Sequence, residues 1–153
     1  ADVRRWLQAQ PDSRDLLDLL SQREFRNLYH HRLANGNTAG RLFQRVARTV
    51  YRPEATLHLT TTDIGPGLYI QHGFATIVAA ERIGANCWVN QQVTIGFTED
   101  MASPVLEDDV TVSAGAKVIG GVTVGRGARV GANAVVVRDV APGATAVGVP
   151  AHR

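Results

Sequence analysis

From Ile64 onward an aliphatic residue returns every six positions. The first frame holds Ile64 and Ile70. A one-residue shift around Gly73-Phe74-Ala75-Thr76 opens a second, with Ile77, Ile83, Val89 and Ile95. After a break the third runs through Leu106, Val112, Val118, Val124, Val130 and Val136. The fourth residue after an aliphatic is usually small or medium-sized and apolar, as at Cys87, Val93, Ala116, Ala128 and Ala134. A period of six does not fit a helix of 3.6 residues per turn, and the density of Gly works against helix. It fits a short parallel strand followed by a corner. Three such units close one triangular coil of about eighteen residues, and stacked coils bury a continuous apolar column. Between four and five coils are expected over 57–141.

The period fails between Ile95 and Leu106, eleven residues apart. The segment from Gly96 to Pro104 carries no repeat and is expected to loop out of the prism. Loops that interrupt a rigid scaffold are disproportionately functional. The frame shift lies next to His72, so the two defects are expected on nearby faces.

The first 56 residues follow another pattern. Pro11-Asp12-Ser13-Arg14-Asp15 predicts a helix start, with Asp12 or Ser13 as the cap. Leu16, Leu17, Leu20, Phe25 and Leu28 then recur at roughly helical spacing as far as Leu33, and Asn35-Gly36-Asn37 predicts the stop. A second helix is predicted from Gly40 to about Tyr51, with Leu42, Phe43, Val46 and Val50 on one face. Arg41, Arg45, Arg48 and Arg52 share another face, read as solvated or as an anion or partner surface. Two short helices cannot bury a core alone, so they must dock on the prism or on another subunit. His30 and His31 are consecutive and point in different directions, which is no metal pair.

Composition sharpens this division into a helical segment, 1–56, and a repeat domain, 57–153, with its loop at 96–105. Residues 1–56 hold three Val and no Ile, whereas residues 57–153 hold sixteen Val and all six Ile. Charge divides too, at +4 and −2, so the formal +2 gives no case for nucleic acid. Cys87 is the single cysteine, which excludes an internal disulfide and suits a reducing, cytoplasmic setting. It takes the small inward position of its hexad and reads as core. No apolar run is long enough to span a bilayer, and no signal-peptide pattern opens the chain. The chain begins at Ala1 and stops at Arg153, which reads as processing or trimming.

Five stretches carry a resemblance: Ile70-Gln71-His72-Gly73 with Ile77-Val78, Asn90-Gln91-Gln92-Val93-Thr94-Ile95-Gly96, Ala114-Gly115-Ala116-Lys117-Val118-Ile119-Gly120, Gly131-Ala132-Asn133-Ala134-Val135-Val136, and Gly148-Val149-Pro150-Ala151. In this order they resemble the serine acetyltransferase branch of the hexapeptide-repeat acyltransferases. Glu24-Phe25-Arg26-Asn27-Leu28 resembles that branch's helical lead. The resemblance implies a left-handed parallel β-helix with a short N-terminal α-helical segment. It implies a homotrimer, with pairing through the N-terminal helices as a further possibility. It also implies acetyl transfer from acetyl-CoA to a hydroxyl. His72 matches the catalytic histidine, and neutral imidazole suits proton removal from a hydroxyl near neutral pH. Ala114 and Ala132 match positions that meet the pantetheine arm through backbone. Arg138 and His152 match basic positions near the nucleotide, with Lys117 as a helper.

The chain departs from the serine-specific pattern at two places. Gln71 stands where those members carry Asp before the histidine. The loop Thr98–Pro104 has neither Arg nor His, where they carry an Arg-His pair. Gln71, Gln91, Gln92, Glu99 and Asp100 are the candidates for acceptor contacts. The acceptor reads as L-serine or as a sugar or other small hydroxyl compound. A prism metal enzyme would need three converging His, and His58, His72 and His152 do not have that spacing, so no metal is expected. A non-catalytic scaffold is the other class of reading.

Overall fold

The computed structural model describes residues 1–152. The repeat forms a parallel β-helix built from β1 (Leu57–Leu59), β2 (Asp63–Ile64), β3 (Tyr69–Ile70), β4 (Thr76–Val78), β5 (Arg82–Ile83), β6 (Trp88–Val89), β7 (Thr94–Gly96), β8 (Val105–Leu106), β9 (Thr111–Val112), β10 (Lys117–Ile119), β11 (Thr123–Val124), β12 (Arg129–Val130), β13 (Val135–Val136) and β14 (Thr145–Ala146). Three parallel sheets make the three faces. The first is ordered β1-β4-β7-β10-β13, the second β2-β5-β8-β11 and the third β3-β6-β9-β12-β14. Each strand pairs with the strand one coil away, so backbone groups are satisfied between coils.

The inward aliphatics stack by register. Ile83 stands beside Leu106, Val89 beside Val112 and Ile95 beside Val118. All six are fully buried, as are Cys87, Val93, Val110, Ala116, Ala128 and Ala134 at the corners. Burial pushes the Cys87 thiol up to about 11, which leaves it an inert core group.

One inward position differs from the hexad reading. Ile77 is 43% exposed, and Val78 points inward beside Ile95. The one-residue shift is the sum of two opposite defects. Ile70 to Val78 is two residues too long, and Val78 to Ile83 is one too short. Ile and Val are equally suited to the core, so the residue types at 77 and 78 did not reveal which one enters it.

The corners explain the Gly, Asn and Asp between the aliphatics. Gly67, Asn86, Asp109, Gly127 and Gly143 all have positive φ and mark the edge between the second and third faces. These residue types enter the left-handed region most readily.

The helical lead has four helices: α1 (Asp2–Ala9), α2 (Leu16–Leu19), α3 (Arg23–Ala34) and α4 (Thr38–Val50). The continuous helix expected as far as Leu33 is therefore two, and α1 was not anticipated. Asp15, not Asp12 or Ser13, caps α2 by accepting from the amides of Leu17 and Asp18. The turn after α2 resets the helical phase. Leu19 and Leu20 are buried, whereas Leu17 is 69% exposed. Asn35 is the C-cap of α3, and Asn37 caps α4, accepting from Gly40 N–H at 2.9 Å. On α4 only Ala47 is buried, and Leu42, Phe43, Val46 and Val50 face outward.

The lead docks on the first coil. Trp6 is buried between Phe25 and Tyr69 and donates from Nε1 to the Leu68 carbonyl at 2.8 Å. Arg32 pairs with Asp2 at 2.9 Å and donates to the Ile64 and Gly65 carbonyls. Asn27 ties α3 to the approach of β1 through the Glu54 and Leu57 carbonyls and the Glu54 amide. His30 is buried, with Nε2 2.7 Å from the Tyr51 carbonyl. Burial holds its pKa below the usual histidine value, and Arg48 and Arg26 push the same way against the Tyr51 bond. Burial, then Arg32, lowers His31 as well.

A pH dependence follows. The unfolded chain binds more protons than the fold between the lowered pKa values and about 6.5, so stability falls as pH drops below about 6.5. The melting temperature is expected to be lower at pH 5.5 than at pH 7.5, and His30→Gln is expected to narrow the gap. Equal melting temperatures for the parent protein would contradict this coupling.

Candidate active site

Sequence-distant residues meet on the edge where the third face turns into the first. Gln71–Ala75 lies between β3 and β4, and Asn90–Val93 between β6 and β7. Ser113–Ala116 and Gly131–Ala134 occupy the same corner in the next two coils. The edge is laced by backbone bonds. Gln92 N–H donates to Phe74, Gly115 N–H to Gln91, and Asn133 N–H to Ala114, each at 3.0 Å. His72, Gln71, Gln91, Gln92, Ala114 and Ala132 therefore share one edge.

His72 stands in the widest corner of this edge. Its φ is 60°, and Ala75 follows at 50°. A histidine in the left-handed region is uncommon and is held there by its surroundings. Those surroundings are visible at Gly73, where an added Cβ would lie 2.8 Å from the Glu24 side chain and 3.0 Å from Leu57. Helix α3 thus presses on the bend that presents His72. The imidazole is exposed, and no hydrogen bond holds it among the described residues. Glu24 belonged to the lead motif, but its place against the His72 corner depends on helix docking and was not legible beforehand.

Down the same edge, the amides of Ala114 and Ala132 do not join the ladder between coils. They carry only methyl side chains, so an extended ligand can approach the backbone closely. Lys117 donates from Nζ to the Gln92 carbonyl at 2.7 Å and to the Gly115 carbonyl at 2.9 Å. Its ammonium group is a staple between coils of this edge. His152 pairs its backbone with Val147 at 2.9 Å in both directions, and its ring lies against Gly148.

Glu99, Asp100 and Arg138 lie elsewhere. Residues 97–104 leave the prism between β7 and β8, at the opposite edge of the first face, and Arg138 follows β13 on that same edge. Phe97, Thr98, Glu99, Asp100, Met101 and Ile119 line an open depression of about 810 Å³. Asp100 is held below the usual carboxylate range by the Thr98 hydroxyl and the Ala102 amide, so it serves the loop's own turn. Within one chain the width of the first face separates Glu99 and Asp100 from His72. Both repeat defects border that face, one on each side. Among the described residues no group of three or more His, Cys, Asp or Glu could hold a metal ion. No helix is long and apolar enough to cross a membrane.

Comparison with known proteins bears on the fold. The family model for bacterial transferase hexapeptide (six repeats) matches residues 103–138. The serine acetyltransferase of Synechococcus elongatus is 33% identical over 135 residues, covering 80% of this chain and 53% of that protein. Soybean serine acetyltransferase, solved in complex with serine, superposes with a TM-score of 0.77 at 29% identity, covering 99% of this chain and 65% of that one. The chain belongs to the serine-acetyltransferase-like branch of the hexapeptide-repeat proteins. A further serine acetyltransferase, solved in complex with CoA, gives a TM-score of 0.69 at 25% identity, covering 99% of this chain and 66% of that one. This branch member spans about half the length of the Synechococcus protein.

Proposed function

We propose that the chain transfers an acetyl group from acetyl-CoA to an acceptor hydroxyl, with His72 as general base. The observation that carries the reading is the placement of His72. It is an exposed imidazole at φ 60°, in an expanded corner that heads an edge of small, backbone-accessible residues. The imidazole takes the hydroxyl proton as oxygen attacks the thioester carbonyl. The tetrahedral oxyanion then needs a donor, and backbone N–H groups suit that task. The thiolate leaves and takes up the proton, so no protein nucleophile is required. Ala114 and Ala132 would border the pantetheine arm, His152 would serve the nucleotide end, and Arg138 would reach it from a neighbouring copy. Lys117 holds the edge in shape. The working unit is a homotrimer in which Glu99 and Asp100 of one copy come near the histidine edge of the next.

The acceptor favoured by these residues is a sugar or other small hydroxyl compound over free L-serine. A zwitterion needs a cation for its carboxylate. The loop at 97–104 has no Arg or His, and the neighbours of His72 along its edge are Gln71, Gln91 and Gln92. Thiol release from acetyl-CoA, measured with L-serine and a panel of sugars, tests both parts. Turnover with sugars above serine is the expected result. Turnover confined to L-serine overturns the acceptor assignment, and release with none of them overturns acetyl transfer.

A further inference from the structure

The outer surface of the third face carries a polar depression that the transfer reading does not use. It has a volume of about 420 Å³ and is lined by Arg5, Trp88, Asn90, Thr111 and Arg129, among others. Two of its donors are orphaned. Trp88 Nε1 and Arg5 Nε are both shielded from solvent and have no hydrogen-bond partner among the described residues. Buried donors without partners are rare in folded proteins, and here they mark the Arg5–Trp88 contact as incompletely satisfied. Arg5 lies over the Trp88 ring, 5.8 Å from its centroid, which fixes the indole and the guanidinium together. Arg129 is exposed and makes no ion pair among the described residues. Asp109 is the one carboxylate on the lining, against two guanidinium groups, so the balance is positive.

The register ties this depression to the histidine edge. Trp88 pairs with Tyr69, and Gln71 N–H bonds to the Val89 carbonyl at 2.9 Å, which sets Gln71 beside Asn90. His72 follows directly. His72 stands three positions beyond Tyr69, the strand partner of Trp88, in the bend that follows β3. We propose that this depression is an acceptor subsite that holds the carboxylate and neighbouring hydroxyls of an acidic saccharide while a hydroxyl farther along the sugar lies at His72. Arg5 and Arg129 meet the carboxylate. The Asn90 amide and the Thr111 hydroxyl meet ring hydroxyls. An amino acid holds its hydroxyl and its carboxylate two carbons apart and cannot occupy both places. Two linked sugar rings can. The inference rests on the acetyl-transfer reading for its place in a reaction, but the binding itself can be measured without catalysis.

The test is calorimetric titration of the full chain, without acyl donor, using three probes. These are a glucuronic acid–glucose disaccharide, cellobiose as its neutral counterpart, and sodium acetate as the bare carboxylate. The acidic disaccharide is expected to bind at least about tenfold more tightly than either control. Arg129→Gln and Thr111→Val are each expected to weaken it about five- to tenfold. The first changes an exposed side chain, and the second keeps the branched shape while removing the hydroxyl. Unchanged melting temperatures would confirm that both variants fold. Equal binding of acetate and the disaccharide would reduce the site to a simple anion patch and overturn the proposal. Equal binding of the two disaccharides, no binding, or binding untouched by Arg129→Gln would overturn it too. Thiol release with sugars but no disaccharide binding sinks this subsite alone. Disaccharide binding without thiol release from any acceptor sinks acetyl transfer and leaves the saccharide site standing.

Discussion

His72→Asn is expected to fold as the parent does and to lose about 10²–10⁴-fold in turnover, the usual range for removing a positioned general base. That range corresponds to roughly 3–5 kcal/mol of the barrier. Asparagine is the informative replacement. It enters the left-handed region more readily than histidine, so the backbone at φ 60° is left at least as comfortable. Its amide cannot accept the hydroxyl proton at neutral pH. A melting temperature at or above that of the parent, together with lost turnover, separates chemistry from folding. His72→Ala should lose the same activity with a small cost in stability. Turnover near the parent's in both variants would remove His72 from the mechanism, because exposure leaves it no core role to explain its placement.

Gly84→Ala is expected to be the most damaging single-methyl change in the prism. The added Cβ would lie 2.5 Å from the Asp108 amide nitrogen and 2.5 Å from the Glu107 carbonyl carbon. These are backbone atoms of the next coil and cannot swing aside as a flexible side chain would. The Asp108 carboxylate oxygen is at the same distance and accepts from the Ala85 amide at 2.8 Å, so the capping bond between coils is strained as well. Overpacking of a well-filled site costs about 1–3 kcal/mol. The immovable neighbours place this change at the upper end, roughly 6–12 °C in melting temperature for a domain of this size. Gly127→Ala is the control. It has φ +65° but nothing within 4 Å of the added carbon, so only the backbone preference is lost, about 1–2 kcal/mol. A smaller loss at Gly84 than at Gly127 would contradict the coil-stacking account.

Much of the prism was legible because its stability is local and repeated. Leu106 through Val136 each stand beside another aliphatic one coil away, so the same kind of inward residue recurs at each step. The histidine edge was partly legible. A defect in a strict repeat marks a corner that must differ, and His72 lies in it. The helical lead was less legible because its burial depends on distant groups. Leu16, Leu17 and Leu20 have helical spacing, yet a turn separates Leu20 from the helix that carries Phe25. Trp6 looked ordinary in sequence and became a core residue because Tyr69 and Leu68 stand opposite it.

The six-residue spacing of aliphatics was sufficient for the parallel β-helix, since no other regular backbone places every sixth side chain inward while spending Gly, Asn and Asp at left-handed corners. Tertiary structure alone decided that Val78, not Ile77, enters the core, because two chemically equivalent neighbours are separated only by strand register. It also decided that Gln71, His72, Gln91, Ala114 and Ala132 share one edge while Glu99, Asp100 and Arg138 lie on another. Corner assignment accumulates every insertion and deletion along the winding, so it becomes visible only once the coils are stacked.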